Sequence, residues 1–212
     1  MIKIPKADKK YKVIWIGDSG VGKTSLLTKA LKNHFDKDIQ STLGFEFYNI
    51  DINIGNKIIL LQTWDTCGQE SFQSIVNMFY KRSKIAILVY SVDNRESFER
   101  INFWLNEVKT NANENIKLIL IGNKTDLTEK RQVSYEEGKK YSEENRFSLF
   151  LESSAKEGDI PKLILKKIAE ILYKSEIKSK SNYKIQINNQ KKKNFILQDY
   201  NYDNEFDTQC CL

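Results

Sequence analysis

The sequence predicts an α/β fold in which helices cover both faces of a mostly parallel, six-stranded sheet. Apolar runs of strand length alternate along the chain with segments whose apolar residues recur at helical spacing. Elements that alternate in this way call for a three-layer arrangement around a parallel sheet. One segment differs, because Ile50, Ile52 and Ile54 alternate with polar residues and the dipeptide Gly55-Asn56 follows them. This hairpin pattern predicts one antiparallel strand at the edge of the sheet.

The first half of the chain supplies the elements that begin this fold. A strand over residues 11–16 leads through a glycine-rich segment into a helix over residues 24–31. The hairpin comes next, and its second strand covers residues 58–64. Residues 85–90 are apolar throughout and suit a buried strand. The next helix is indicated by five apolar residues at helical spacing, namely Phe98, Ile101, Trp104, Leu105 and Val108.

The second half continues the alternation. A strand starts at Lys117, and the spacing of Ser134 and Glu137 predicts a capping box at the start of a helix. The last strand is expected over residues 147–151. The final helix follows, with Pro161 in its first turn. Its predicted buried face consists of six apolar residues, namely Ile160, Leu163, Ile164, Ile168, Ile171 and Leu172.

The chain of 212 residues is long enough for one well-buried domain and a tail. Composition divides it into a basic N-terminal extension over residues 1–10, a domain over residues 11–174 and a tail over residues 175–212. Serine, asparagine, glutamine, lysine and tyrosine dominate the tail, so we expect it to be flexible in isolation. A lysine-rich start without an apolar segment predicts no signal peptide, and the apolar runs are too short to span a bilayer.

The net charge of +6 and the isoelectric point near 9.0 come partly from lysines near the two ends of the chain. A basic balance of this kind raises the question of nucleic-acid binding. The sequence contains no basic module interleaved with aromatic residues and no zinc-binding pattern, so we expect no nucleic-acid partner. The single histidine, His34, is predicted to be a surface residue.

The segment from Gly17 to Thr24 matches the pattern G-x-x-x-x-G-K-[ST]. Loops of this pattern hold phosphates with backbone N–H groups at a helix N-terminus, while the lysine reaches the outer phosphates and the threonine hydroxyl reaches Mg²⁺. The alternative is an ordinary glycine-rich turn, but the position between a strand and a helix favours a phosphate loop. The residues predicted to bind the nucleotide here are Ser19, Gly20, Val21, Gly22, Lys23, Thr24 and Ser25.

The segment Asn123-Lys124-Thr125-Asp126 follows an apolar strand and predicts which base is bound. A carboxylate such as that of Asp126 can accept hydrogen bonds from both N1–H and the N2 amine of guanine, whereas adenine has an acceptor at N1 and no amine at C2. A polar group that the wrong base leaves unpaired costs about 1–3 kcal/mol, and more if it is charged. In isolation the segment would also fit an ordinary polar turn. Together with the phosphate loop, it predicts a guanine nucleotide.

From about Tyr11 to Tyr173 the chain resembles the small GTPases of the Ras superfamily, and most closely those of the Rab branch. The resemblance implies a P-loop GTPase domain that binds GTP or GDP with Mg²⁺ and acts as a switch. The Rab branch implies control of vesicle and membrane traffic through effectors that bind the GTP form. Besides the two segments above, the resemblance rests on three further segments. Residues 41–47 resemble the first switch of the family. Residues 61–70, which include Asp65-Thr66-Cys67-Gly68-Gln69, resemble the Rab form of the second switch, and Glu152-Ser153-Ser154-Ala155-Lys156 resembles the last guanine loop.

The resemblance also implies roles for individual residues. Thr24 and Thr42 would ligate Mg²⁺ directly, and Asp65 would hold it through water. Gln69 would be the catalytic residue that orients the attacking water, while the backbone N–H of Gly68 touches the γ-phosphate. Besides Asp126, the implied nucleotide-binding residues around the base are Phe35, Asn123, Lys124, Ser154, Ala155 and Lys156.

Three residues depart from the family pattern: Cys67 replaces the usual alanine, Ser71 replaces an arginine and Ser91 replaces an aspartate. None of them removes a phosphate, metal or base contact. Because Cys67 is close to Gln69, we expect these departures to affect the rate of GTP hydrolysis more than any other property. They leave open a hydrolysis-impaired scaffold that stays locked to its nucleotide. A Ras-like signalling GTPase and an unrelated P-loop enzyme, such as a nucleotide kinase, are further alternatives, and the guanine-specific segment disfavours the last.

The partners of the protein are also implied by the resemblance. The phosphate loop and the second switch contain no arginine that could obviously stabilise the γ-phosphate charge during hydrolysis, so we expect slow intrinsic GTP turnover. A GTPase-activating partner that supplies an arginine could add a factor of about 10³–10⁵ in rate. The other implied partners are an exchange factor, effectors, an escort protein and a GDP-dissociation inhibitor. We expect the protein itself to be a monomer.

The sequence ends in Gln209-Cys210-Cys211-Leu212, which is not a CaaX box because the fourth residue from the end is glutamine. It resembles the paired-cysteine ends of Rab proteins, which receive two geranylgeranyl groups, so Cys210 and Cys211 are the predicted lipidation sites. A pair of free or oxidised thiols is the alternative. Two lipid chains anchor stably, whereas one binds reversibly. The expected location is therefore the cytoplasmic face of endomembranes, with cycling through the cytosol.

Overall fold

The computed structural model of the protein describes residues 7–36, 42, 44–66 and 79–177. Across these residues the strands are β1 (Lys9–Ile16), β2 (Phe45–Ile54), β3 (Lys57–Thr66), β4 (Ser83–Ser91), β5 (Lys117–Asn123) and β6 (Leu149–Glu152). The helices are α1 (Lys23–Lys32), α2 (Arg95–Glu99), α3 (Ile101–Asn111), α4 (Tyr135–Glu144) and α5 (residues 160–177), with a short 3₁₀ turn at Thr128–Lys130.

The strands form one sheet in the order β2-β3-β1-β4-β5-β6. Neighbouring strands are parallel except β2 and β3, which run antiparallel with Ile50 opposite Leu61 and are joined at Gly55-Asn56. A two-residue turn can connect antiparallel strands, whereas parallel neighbours need longer crossover connections. The predicted mostly parallel sheet with one antiparallel edge strand is therefore confirmed.

The central strands are buried on both faces, which explains why their sequences are continuously apolar. Ile14 and Ile16 of β1 belong to one core cluster with Phe98 of α2 and Trp104 of α3. Trp15 lies between those isoleucines, points to the opposite face of the sheet and is 1% exposed. Both faces of the sheet are thus covered, in agreement with the three-layer prediction.

Two helices differ in detail from the expectation. The apolar stripe from residue 98 to residue 108 is buried as predicted, but it spans two helices, because α2 ends at Glu99 and α3 starts at Ile101. The predicted buried face of the final helix is wrong at Ile160 and Leu163, which are 39% and 44% exposed. The apolar side chains that α5 buries between residues 164 and 169 are Ile164, Leu165, Ile168 and Ala169.

The capping box at the start of α4 is confirmed. Ser134 Oγ accepts a hydrogen bond from the Glu137 N–H at 3.1 Å, and the Glu137 carboxylate accepts one from the Ser134 N–H at 3.3 Å. The strand that follows, β6, begins at Leu149, slightly later than predicted. The first strand begins earlier, at Lys9, inside the segment whose composition suggests an extension.

The chain divides at Glu170 into two compact units. The strands, helices α1 to α4 and the beginning of α5 belong to the first unit. The described part of the second unit is the end of α5, residues 171–177. Across the described ranges, none of the helices has the length and apolar character needed to cross a membrane.

Gly138 provides a test of the packing between α4 and the sheet. An ideal Cβ at this position would lie 2.4 Å from Tyr90 Oη and 2.7 Å from Phe150 Cζ, and the Tyr90 ring is fully buried and cannot swing aside. In an exposed helix, replacing glycine by alanine stabilises by about 1 kcal/mol. Because overpacking outweighs helix propensity here, we expect Gly138→Ala to lower the free energy of unfolding by about 1–3 kcal/mol in chemical denaturation.

The exposed neighbour Lys139 offers a matched control on the same helix. Lys139→Ala should change the free energy of unfolding by less than about 0.5 kcal/mol. A Gly138→Ala protein that is as stable as the wild type would contradict the close packing of α4 against Tyr90 and Phe150.

Candidate nucleotide-binding site

The carboxyl ends of five parallel strands lie along one edge of the sheet. The segment of residues 17–24 follows β1, Asp65 lies near the end of β3, Asn123 ends β5 and Ser153 follows β6. Parallel strands therefore bring together segments that are far apart in the sequence. In open α/β sheets this edge is where ligands bind.

Glycines determine the shape of the loop after β1. Gly17, Gly20 and Gly22 have φ angles of 139°, 75° and 93°, a region that other residues rarely adopt. A Cβ on Gly17 would lie 2.2 Å from the Val89 carbonyl oxygen, and one on Gly22 would lie 2.3 Å from Asn123 Nδ2. Because Gly22 is also the N-cap of the ten-residue helix α1, the loop presents its N–H groups at a helix N-terminus, which suits an anion.

Lys23 is the first residue of α1 and is 5% exposed. Its Nζ donates hydrogen bonds to the backbone carbonyls of Gly17 and Asp18, both at 2.8 Å. These carbonyls hold the side chain over the loop without cancelling its positive charge. A buried ammonium group at this position is suited to the outer phosphates of a nucleotide.

The three predicted Mg²⁺-binding residues meet at one corner of the loop. Thr24 Oγ1 donates to Asp65 Oδ2 at 2.5 Å and lies 2.7 Å from Thr42 Oγ1. Asp65 is fully buried, and its Oδ1 has no hydrogen-bond partner among the residues that the structure describes. Burial raises the pKa of the Asp65 carboxyl to about 6, although the Thr24 hydroxyl and the Lys23 ammonium counteract part of the rise. One carboxylate and two hydroxyls fit Mg²⁺, which prefers oxygen ligands and shares them with phosphates and waters.

The segment predicted to recognise the base is tied to the phosphate loop by one side chain. Asn123 is 1% exposed at the end of β5, and its Nδ2 donates to the Val21 carbonyl oxygen at 2.8 Å. Its Oδ1 has no hydrogen-bond partner within the described ranges. The predicted base site and phosphate site are therefore adjacent parts of one structure.

The segment after β6 orients Asp126. Ser154 Oγ donates to Asp126 Oδ1 at 2.6 Å and accepts from the backbone N–H groups of Lys156 and Glu157, both at 3.0 Å. Lys156 Nζ lies 3.9 Å from Asp126 Oδ2, and the Asp126 side chain is 8% exposed. The carboxylate that the sequence assigns to the base is thus held in a fixed orientation by the other predicted base-binding segment.

An ion pair that the sequence did not indicate lies at the end of β6, where the second base-binding segment begins. Arg131 donates to both carboxylate oxygens of Glu152, at 2.8 Å and 2.9 Å, and to the Val133 carbonyl at 3.0 Å. The Glu152 carboxylate raises the pKa of Arg131, and bidentate pairs of this kind are among the stronger polar contacts. Glu152 is the last residue of β6 and the first residue of the segment Glu152-Ser153-Ser154-Ala155-Lys156. No local spacing could reveal the pair, because its partners lie on separate elements.

Most of the predicted site residues take part in this edge of the sheet or flank it. Phe35 lies just beyond α1 and is half-buried, and none of the contacts above includes it. The predicted catalytic residue Gln69 lies outside the described residues, as do Gly68, Cys210 and Cys211. The predicted residues on the edge are Ser19, Gly20, Val21, Gly22, Lys23, Thr24, Ser25, Thr42, Asp65, Asn123, Lys124, Asp126, Ser154, Ala155 and Lys156.

Comparison of the chain with protein-family models gives a match to the Ras family over residues 12–174. The matched range contains the phosphate loop, the corner formed by Thr42 and Asp65, the Asn123 segment and the Ser154 segment.

Gly22→Ala tests the contact between the phosphate loop and the base segment. The added Cβ would meet Asn123 Nδ2 at 2.3 Å, so Asn123 would have to give up its bond to Val21. We expect a loss of about 2–5 kcal/mol in stability, from the left-handed backbone and the overpacking together. Thermal unfolding without nucleotide measures this loss.

Gly20→Ala is the matched control, because Gly20 has a φ of 75° but nothing lies within 4 Å of an added Cβ. It should show the backbone strain alone, about 1–2 kcal/mol. Equal losses in the two variants would argue against the close approach of Gly22 and Asn123.

Proposed function

The chain belongs to the Ras family of small GTPases, and we propose that it is a switch of the Rab type. It binds GTP or GDP with Mg²⁺, hydrolyses GTP and, in the GTP form, binds effectors that regulate vesicle and membrane traffic. The observation that carries the nucleotide assignment is the hydrogen bond from Asn123 to the Val21 carbonyl. Through this bond, the segment of residues 123–126, whose side chains suit the donors and acceptors of guanine, lies beside the loop that is suited to phosphates.

Hydrolysis depends on positioning and charge stabilisation, with no covalent intermediate. Lys23 and the loop N–H groups would bind the outer phosphates, while Thr24 and Thr42 would hold Mg²⁺ directly and Asp65 would hold it through water. Bound there, Mg²⁺ would supply positive charge that stabilises the phosphate oxygens. Gln69 orients the attacking water. The position of Thr42 then depends on the γ-phosphate. The conformation of the segment that follows Thr42 therefore differs between the GTP form and the GDP form.

An aromatic surface in that segment supports nucleotide-dependent effector binding. Phe45 and Phe47, at the start of β2, are 45% and 43% exposed. Their ring centroids lie 5.6 Å and 4.7 Å from that of Trp64, which in turn lies 4.3 Å from that of Phe79. Exposed apolar patches of this kind mark protein–protein interaction sites. Phe45 and Phe47 follow Thr42 closely in the chain. A shift of Thr42 on loss of the γ-phosphate would therefore change the position of this patch.

The partners proposed for the protein are those of a Rab cycle. They are an exchange factor, a GTPase-activating protein, effectors, an escort protein and a GDP-dissociation inhibitor. The chain acts as a monomer on the cytoplasmic face of endomembranes, held there by lipids on Cys210 and Cys211, and cycles through the cytosol. The support is the resemblance of residues 41–47, of residues 61–70 and of the paired cysteines to Rab proteins.

A hydrolysis-impaired scaffold is the second candidate, and it requires that Cys67 or Ser71, which depart from the family pattern, impairs hydrolysis. A single-turnover GTPase assay with and without an activating partner separates the two functions. GTP that stays intact in both conditions would support the scaffold. A tagged chain located away from endomembranes would favour a Ras-like signalling GTPase over the Rab type.

Asp126→Asn tests base recognition. An asparagine amide offers an N–H where xanthine has a carbonyl in place of the guanine amine, so affinity should move from guanine to xanthine. We expect the Kd for GDP to rise by about tenfold to a hundredfold, which corresponds to losing about 1–3 kcal/mol, and the Kd for XDP to fall. Displacement of a fluorescent nucleotide measures both constants.

Asp51→Asn makes the same change at an exposed position of β2 and should leave both Kd values unaltered. An Asp126→Asn protein that still prefers GDP to XDP as strongly as the wild type would rule out the proposed role of the carboxylate.

Replacing Cys210 and Cys211 together by serine tests the membrane anchor. We expect the double variant to move from the membrane fraction to the cytosolic fraction, and each single variant to bind weakly, because one lipid chain gives only reversible binding. Cell fractionation with immunodetection measures the distribution. Gln209→Ser leaves both terminal thiols in place and serves as the control. A double variant found on membranes to the same extent as the wild type would refute the anchor.

A further inference from the structure

A carboxylate belongs to the phosphate loop itself, where the proposed ligand is an anion. Asp18 occupies the first variable position of the pattern, directly before the residues whose N–H groups are expected to hold phosphate. Its backbone carbonyl accepts from Lys23 Nζ at 2.8 Å, so its main chain is part of the site. A negative side chain at this position repels a di- or triphosphate unless its charge is compensated.

The start of helix α3 supplies this compensation. Asp18 Oδ1 accepts hydrogen bonds from Arg100 Nε at 2.9 Å and from Trp104 Nε1 at 2.8 Å. The side chains of Asp18 and Arg100 are 18% and 33% exposed, so solvent screens their interaction only in part. Trp104 is 3% exposed, and core packing therefore fixes the direction of its indole N–H. The carboxylate is held in one orientation and faces a permanent positive charge.

We propose that Arg100 is a positioning residue of the nucleotide site, which neutralises Asp18 in the phosphate loop and thereby sets the affinity for GTP relative to GDP. This role rests on the proposed guanine-nucleotide function. GTP carries more negative charge than GDP, so a carboxylate that has lost its partner repels GTP more strongly. The sequence pattern does not identify the residue, because Arg100 lies between α2 and α3, far along the chain from the loop.

A purely structural role for Arg100 predicts different behaviour. If Arg100 only supported the backbone, its loss would weaken GDP and GTP equally and regardless of salt. A second change at Asp18 would then add to the damage. Charge compensation predicts instead that salt reduces the effect and that removing the carboxylate restores binding.

The experiment compares Arg100→Gln, Asp18→Asn and the double variant of the full chain. Each is titrated with GDP and with a non-hydrolysable GTP analogue in the presence of Mg²⁺, at low and high ionic strength. At low ionic strength we expect Arg100→Gln to raise the Kd for GDP about threefold and that for the analogue about tenfold, with smaller effects at high ionic strength. The double variant should return to within about twofold of the wild type.

Asp18→Asn alone keeps an oxygen acceptor for Arg100 and Trp104 but removes the negative charge. We expect it to bind the GTP analogue at least as tightly as the wild type. Arg95→Gln is the matched control, because Arg95 pairs with Glu99 and Glu137 on α2 and α4 instead of with the loop. It removes the same charge and should leave both Kd values unchanged.

Three outcomes would overturn the proposal: wild-type affinities in Arg100→Gln, equal weakening of GDP and the analogue at every ionic strength, or a double variant that binds more weakly than Arg100→Gln. If Arg100→Gln does not fold, Asp18→Asn decides by itself, and weaker binding of the analogue by that variant would overturn the proposal. A wild-type chain that binds neither nucleotide would instead contradict the proposed function, so the two failures are distinguishable.

Discussion

The hydrogen bond from Asn123 Nδ2 to the Val21 carbonyl oxygen is the contact on which the candidate site depends. It connects the end of β5 to the phosphate loop, and Asn123 is buried, so breaking the bond would leave an unpaired polar group that costs about 1–3 kcal/mol. Gly22 makes the contact possible, because a side chain there would occupy the space of the Asn123 amide. The position of the Asn123 side chain therefore depends on a glycine at residue 22, although the two residues are far apart in the sequence.

Charge is concentrated at this edge of the sheet in a way that favours a ligand. Burying an ionised group is costly unless other groups compensate its charge, and both Lys23 and Asp65 are buried here. Within the described residues, Asp65 Oδ1 and Asn123 Oδ1 lack hydrogen-bond partners. Buried polar groups are normally satisfied, so an unpaired carboxylate oxygen of Asp65 beside the Thr24 and Thr42 hydroxyls fits a site that a ligand completes. Mg²⁺ with its waters would supply the contact that Asp65 Oδ1 lacks, and the binding of nucleotide and Mg²⁺ would stabilise the folded chain.

Much of the fold could be predicted from the sequence, because strong periodicity and turn chemistry act locally. The apolar run in β4, the Gly55-Asn56 turn and the capping box at Ser134 belong to this class. The exposure of Ile160 and Leu163 could not be predicted from the sequence. The apolar residues of the final helix allow more than one choice of buried face, and only tertiary packing decides which face is buried.

The candidate site was predictable in its residues but not in its supporting contacts. Motif spacing identifies Lys23 and Asn123, whereas nothing local identifies the ion pairs of Arg131 with Glu152 and of Arg100 with Asp18. Each of these pairs joins separate elements, and the chain contains many other charged residues that could have paired instead. Only the three-dimensional arrangement selects these partners.

Equilibrium competition is the most direct test of the guanine-nucleotide site. Labelled GDP is bound to the wild-type chain with Mg²⁺ and is then displaced by unlabelled GTP or by ATP. We expect GTP to displace it readily and ATP to require a concentration at least about 10³-fold higher, because a buried carboxylate such as that of Asp126 rejects a base without two donors. Displacement by ATP at the same concentration as GTP would contradict the site described.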